Sequence, residues 1–301
     1  MTKRFIAALV VGVFWSTQGV AQELAPRAYW PAPTGTQVLT VGYSHKTGDI
    51  IPDRSLPLTG VDSSIDSVHL GYRRTFGLFD RTANITLELP ANNGTTAATD
   101  DQGLGFERSY RGVGDMAAEF SINLLGAPAL TRPAFRENLK QTRHLVGASI
   151  KVLAPTGQYE SDKLINVGAN RWAAKAEVGY ISVLSSKWLL ETSLGAWFFQ
   201  DNDDFLGYTK KQDPVVTLQG HLIYRFGPGL WGSINLNYYE GGRSDINGQR
   251  LDDIQEDSKI GATLTFPFAT RHAVKIGYTN GSLSDSGEAY DVFLISYSQL
   301  F

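Results

Sequence analysis

The chain has 301 residues, 42% of them apolar and 11% aromatic, with no cysteine and a net charge of −3. The missing cysteine excludes a disulfide framework or a thiolate metal site, and the mild acidity speaks against a nucleic-acid partner. A mean hydropathy of −0.16 is too low for a bundle of membrane helices.

The N-terminus, "MTKRFIAALVVGVFWSTQGVAQEL", has a basic start at Lys3 and Arg4, then an eleven-residue apolar run from Phe5 to Trp15. Gly19 and Ala21 put small residues at the −3 and −1 positions of a cleavage site. This is the pattern of a secretory signal peptide over residues 1–21. The run falls short of the roughly 20 apolar residues that a membrane helix needs. Residues 22–36 read as a short periplasmic lead, too brief for a plug like that of long-chain fatty-acid transporters. No later segment reaches 18 apolar residues, so a membrane form must be a closed β-barrel, because lipid offers no partner to unpaired backbone groups.

Alternation then recurs along the chain. "GSINLNYY" puts Ile234, Leu236 and Tyr238 on one face and Ser233, Asn235 and Asn237 on the other. "KIGATLTFPF" and "VTLQGHLIYRF" separate apolar from polar in the same way. A period of two means strands with one greasy and one polar face. Twelve strands are expected, near 37–43, 64–75, 82–89, 113–125, 143–153, 171–183, 187–199, 214–226, 231–240, 258–268, 272–280 and 290–301. Tight turns follow every second strand: "GLFD", "LSSK", "GPGL" and "ATR". Long polar segments follow the others, about 44–63, 90–112, 154–170, 200–213, 241–257 and 281–289. One link breaks the rule: residues 126–142 should be short and are not, which predicts a small helix or extended turn at the rim. Loops sorted by parity are the mark of an outer-membrane barrel, with short turns in the periplasm and long loops outside. The expected fold is all-β, a closed antiparallel transmembrane barrel of twelve strands over 37–301.

The chain ends "YDVFLISYSQLF". Phe293, Ile295, Tyr297 and Phe301 share one face, interrupted by Gln299. In a closed barrel the last strand pairs with the first, leaving no edge. A terminal aromatic of this kind is also what barrel-assembly machinery engages, so Phe301 is the expected contact. Aromatics near strand ends, among them Trp188, Trp231, Tyr224, Phe226, Phe268, Phe79, Tyr180 and Phe198, predict girdles at the headgroups.

Several stretches carry a resemblance: "APRAYWPAPTGTQVLTVGYSHKTGD", Ala25 to Asp49; "LGYRRTFGLF", Leu70 to Phe79; "GVGD", Gly112 to Asp115; and "VLAPTGQYESDKLINVGANRW", Val152 to Trp172. Together they resemble the outer-membrane transporters of the family named for the MetA pathway of phenol degradation, thinning after about residue 200. The resemblance implies an outer-membrane barrel and, from the family's name, import of aromatic or other hydrophobic compounds. It brings no catalytic residues with it.

With the greasy face toward lipid, parity turns His69, Arg73, Glu88, Asp115, Glu119, Lys151, Lys175, Glu177, Glu191, His221, Arg225, Lys259 and Lys275 inward. That fits a cost of roughly 2–4 kcal/mol for a charge at the bilayer midplane of a barrel. These groups either pair across the lumen and brace the wall or line a polar path. Pairing is the favoured role for any single one. The loop at 154–172 is a candidate constriction. The acidic runs at 200–207 and 250–259 lack EF-hand spacing and read as solvated loops. The five histidines, at 45, 69, 144, 221 and 272, meet no nucleophile elbow, so no enzyme, metal site or cofactor is expected. The function read from sequence is passive uptake of small molecules, with a structural or adhesive barrel as the alternative and a barrel hydrolase behind it. The expected partners are outer-membrane lipid, lipopolysaccharide, the assembly machinery and small solutes.

Overall fold

The computed structural model describes residues 24–49, 59–99, 105–281 and 289–301. Residues 1–23, with the expected signal peptide at 1–21, and the middles of three long loops lie outside the described residues.

A single 13-stranded antiparallel sheet closes on itself. Its strands are β1 (Gln37–Gly48), β2 (Thr59–Leu78), β3 (Arg81–Thr99), β4 (Gly105–Val113), β5 (Met116–Leu125), β6 (His144–Ala154), β7 (Ala173–Val183) and β8 (Trp188–Phe199), followed by β11 (Val215–Gly227), β12 (Leu230–Gly241), β15 (Gln255–Ala269), β16 (His272–Gly281) and β17 (Tyr290–Leu300). β4 and β5 are two halves of one stave: β3 pairs with both, Ala91 opposite Val113 and Glu88 opposite Ala117. The wall therefore has twelve staves. Each overlaps one of the expected stretches, and closure runs from Val38 opposite Leu300 to Gly48 opposite Tyr290. The Phe301 amide donates to the Gln37 carbonyl at 2.9 Å, so the terminal residue completes the seam.

The burial pattern is inverted relative to a water-soluble domain. Ile234 is 58% exposed and Ile295 40%, while Asn235 between the strand's greasy positions is 1% exposed and Lys259 0%. A large apolar side chain left fully in water would cost about 1.5–3 kcal/mol. A continuous band of them is stable only against lipid. Gln299, which interrupts the apolar face of β17, joins a polar cluster at its end: His272 Nδ1 lies 2.7 Å from the Tyr297 hydroxyl, which in turn donates to Gln299 at 3.5 Å. A headgroup-level residue can stay polar.

The short turns are built as their sequences demand. Phe79 and Asp80 both take positive φ, 49° and 57°, which is the primed turn that matches strand twist. The irregular link holds α1 (Arg132–Gln141), with a proline in its first turn, Phe135 buried and Thr142 closing its C-terminus onto Asn138. Part of what was expected as loop is strand. β2 and β3 run 20 and 19 residues, about twice what a tilted strand needs to cross, so with β4 they rise beyond the bilayer. β9 (Asn202–Phe205), β10 (Tyr208–Gln212), β13 (Ser244–Ile246) and β14 (Gln249–Arg250) form a separate four-stranded sheet from two outer loops. The acidic runs there are drawn into ion pairs, Asp201 with Lys211 at 3.2 Å and Asp252 with Arg243 at 3.8 Å.

The described part of the lead, 24–36, packs against the inner wall, with Tyr29 and Trp30 each 6% exposed. The segment is short, but a barrel of this width needs little to fill one end.

Candidate passage through the barrel

The interior has three levels. At the periplasmic end, Tyr29 and Trp30 meet Ala127, Leu145, Ile181, Leu189, Ile223 and Trp231 in one buried apolar cluster, with Leu139 of α1 packed against it. This is a floor. Trp231, expected in a lipid girdle, lies 1% exposed inside, because the turn at Gly229 starts β12 with its first bulky ring on the inner face. Trp188, Phe226, Phe268 and Tyr180 do stand on the outside.

The fit of Tyr29 explains why the lead enters. Gly147 of β6 and Gly179 of β7 lie directly opposite each other. A Cβ on either would come within 2.2 Å of the Tyr29 ring, so the two glycines form a slot into which the ring lies flat. Its hydroxyl is 2.9 Å from Ser149 and donates to the Glu177 carboxylate at 2.9 Å. The backbone of the lead is held as well. Asn123 donates to the Tyr29 carbonyl at 2.8 Å, Arg73 to the Ala28 carbonyl at 3.3 Å, and the Arg27 amide donates to Glu191. The Arg27 guanidinium stacks 5.0 Å from Trp30 and 5.2 Å from Trp231. Burial pushes it down to about 10, with Glu191 opposing, so it remains a cation at neutral pH. Burial, then Glu177, raises the Tyr29 phenol, which keeps it a hydrogen-bond donor.

The middle level holds the charges. Lys151 pairs with Glu88 at 3.2 Å and Lys175 with Glu177 at 2.5 Å, all four buried. His221 binds Asn235 at 3.0 Å, and His69 binds Ser44 at 3.0 Å. Glu119 is half-buried and acts electrostatically on Arg73. Arg225 is half-buried near the floor, reaching the Ser185 carbonyl at 3.2 Å and the Trp30 ring at 5.7 Å. Lys275 is buried on β16. The upper level carries Lys259 between the Tyr239 and Tyr290 rings, 4.7 Å and 4.6 Å from their centres. Above it Ile65, Tyr110, Ile165, Phe205 and Tyr290 form a second buried apolar cluster.

Asp115 has a different place from the other parity-selected residues. It sits where the fourth stave breaks, opposite the Pro90 region of β3, and Gly114 donates to the Pro90 carbonyl at 2.9 Å. The two Asp115 oxygens accept the Gly157 and Ala169 amides, both at 2.8 Å. A Cβ on Gly157 would stand 2.8 Å from the Gly168 Cα. The "GVGD", "PTG" and "NVGAN" pieces are thus one latch, which folds loop 154–172 down so that Ile165 is fully buried.

These same pieces fall inside the match to the family model described as "Putative MetA-pathway of phenol degradation", which spans residues 39–282. The chain belongs to that family. In this member of the phenol-degradation family, the wall also matches solved barrels. It is similar to the COG4313 outer membrane channel from Pseudomonas putida F1, at 24% identity and TM-score 0.74, over 93% of this chain and 100% of that one. It is similar to the beta domain of the Bordetella autotransporter BrkA, at 10% identity and TM-score 0.52, over 89% of this chain and 100% of that one. The transport unit of the autotransporter AIDA-I from Escherichia coli aligns at 9% identity and TM-score 0.50, over 93% of each chain. These likenesses are of fold. No curated protein matches the chain.

Sequence reasoning missed the lead's anchors and one exposed cluster. His45 Nδ1 lies 2.8 Å from Asp66, which also accepts the Tyr43 hydroxyl at 2.5 Å, on the outer face near the rim. The register that joins β1 to β2 places them together, a pairing that spacing alone does not reveal. Among the described residues no group of three or more metal-ligating side chains forms.

Proposed function

We propose that this outer-membrane barrel is a passive channel for small molecules, aromatic compounds among them. One observation carries the reading. The wall leaves a polar, charged interior, and what blocks its periplasmic end is a tethered segment, 24–36, rather than the wall's own side chains alone. A barrel with a purely structural or adhesive role has no need of a separate stopper. The family's name and the channel description of the Pseudomonas putida relative support the reading. Of the parity-selected groups, Glu88 with Lys151 and Lys175 with Glu177 brace the wall in pairs, Arg73 and Glu191 hold the lead, and together they give the path its polarity. Residues 1–21 direct export. Phe301 on the closing strand engages the assembly machinery, and the exposed rim meets lipopolysaccharide.

Liposome swelling with graded phenolic and sugar solutes tests the function. Entry of small solutes with a sharp size limit is the expected result, and equal exclusion of every solute overturns it.

A further inference from the structure

The outer surface of the barrel is sorted by charge along its axis. Toward the extracellular rim, carboxylates stand beside tyrosines on neighbouring staves. Asp66 accepts the Tyr43 hydroxyl at 2.5 Å and Asp291 the Tyr278 hydroxyl at 2.6 Å, and Tyr238 reaches Glu240 at 3.1 Å and Glu256 at 3.3 Å. The periplasmic rim is the reverse. From α1 to the β11–β12 turn its exposed charges are Arg132, Arg136, Lys140, Arg143 and Lys187, with one carboxylate, Glu137. Glu137 pairs with Lys140 at 2.9 Å. Asp80, in the β2–β3 turn, is the next carboxylate around this rim. Every turn of the rim lies among the described residues. The described chain begins inside the barrel, where a Cβ on Gly261 would stand 2.9 Å from the Leu24 side chain.

These cations sit beside an aromatic shelf on the outer face. His144 stacks on Tyr180, with its Nδ1 2.7 Å from the phenol oxygen. On the next two staves Trp188, Tyr224 and Phe226 pack edge to face, 4.7 and 4.8 Å between ring centres. The Lys187 ammonium lies 5.7 Å from the Tyr224 ring. Backbone bonds tie the cations to the same staves. The Arg143 carbonyl accepts the Val183 amide, and the Lys187 carbonyl accepts the Arg225 amide, both at 2.8 Å. β6 and β8 flank β7, so Arg143 and Lys187 spring from backbones two strand spacings apart, about 10 Å. Amphipathic rings favour the headgroup level, and long cationic side chains beside them reach the depth of lipid phosphates.

We propose that this stretch of the periplasmic rim binds anionic phospholipid of the inner leaflet. Arg143 and Lys187 take the phosphate between them, a guanidinium fork with a mobile ammonium. Arg136 and Lys140 on α1 extend the site toward a second headgroup. Tyr180, Trp188 and Tyr224 carry the glycerol and the upper acyl chains. The carboxylate-bearing upper rim repels the same headgroup.

Reconstitution in phosphatidylcholine vesicles that carry one brominated lipid tests this, because bromine quenches tryptophans at contact. Among the described residues, Trp172 and Trp188 are the exposed tryptophans, at opposite rims, while Trp30, Trp197 and Trp231 are buried. In Trp172→Phe, brominated phosphatidylglycerol should quench Trp188 as if enriched about fivefold or more over brominated phosphatidylcholine at equal mole fraction. One basic side chain near an anionic headgroup surface is worth about that factor. Salt at about 1 M should remove the enrichment. In Trp188→Phe, the two lipids should quench Trp172 nearly equally. Arg143→Gln with Lys187→Gln should bring the Trp188 ratio near one, with Lys211→Gln at the extracellular end as the unaffected control. Equal quenching of Trp188 by both lipids overturns the inference and turns these cations toward an acidic periplasmic protein instead. An enrichment that Trp172 shares, or that survives in the folded double variant, overturns it as well. The channel is read separately, by solute entry, and stands in every case.

Discussion

The two ends of the interior are closed in different ways. The periplasmic floor is a dense apolar cluster in which Tyr29 fits a slot two glycines wide. The extracellular end is covered by loop residues, Ile165 and Phe205, that reach inward to Ile65, Tyr110 and Tyr290. The floor gains its hold from a shape match plus hydrogen bonds to five wall strands. The cover gains its hold from the Asp115 latch, from the Gln158 amide on the Val113 carbonyl and the Met116 amide on the Thr156 hydroxyl, and from the apolar cluster around Ile165. A barrel can thus be shut twice by elements of different construction, a threaded segment inside and a latched loop toward the solutes that arrive from outside.

Breaking the floor should have the largest effect. Removal of residues 24–33 should raise single-channel conductance about tenfold or more if the lead is the principal barrier, a change read directly in bilayers. Conductance that stays at the wild-type level would make the wall, not the lead, the barrier. Next comes the middle level. Lys175→Met leaves Glu177 buried without its ammonium partner, at a cost of about 3–5 kcal/mol, seen as a lower urea midpoint for loss of the fast-migrating unboiled band. Gly179→Ala tests the slot: a Cβ in the Tyr29 ring forces strain of about 1–3 kcal/mol, expressed as partial ejection of the lead and easier protease access to it. The cover should be the easiest to disturb. Asp115→Asn weakens two charge-assisted hydrogen bonds, each worth about 1.5–3 kcal/mol, and should expose loop 154–172 to limited proteolysis while conductance through the floor changes little.

The wall was legible because lipid imposes a strict rule. Each strand must alternate, so "GSINLNYY" and "KIGATLTFPF" fix both strand and facing, and the inward side of Glu88, Lys151, Lys175 and Lys259 follows from parity alone. The floor was not legible from that rule. Tyr29 is placed by Gly147 and Gly179, which are far apart in sequence and adjacent only through β-pairing. A signal was present in the broken alternation near short turns. "LIY" at Leu222 to Tyr224 and "WLL" at Trp188 to Leu190 put apolar residues on both faces, and the inward members, Ile223 and Leu189, are 0% exposed. The displaced role of Asp115 was hidden for a similar reason, since the strand break that turns its carboxylate to the loop depends on Pro90 across the pair.

The seam between β1 and β17 joins nearly the two extremes of the chain. Its formation must await β17, and the entropy of bringing such remote strands together falls on that step. The lead is spliced directly to β1. Whichever way it enters, it is therefore already fastened to the hinge side of the closing cylinder, like a cork tied to the first stave before the hoop is drawn tight.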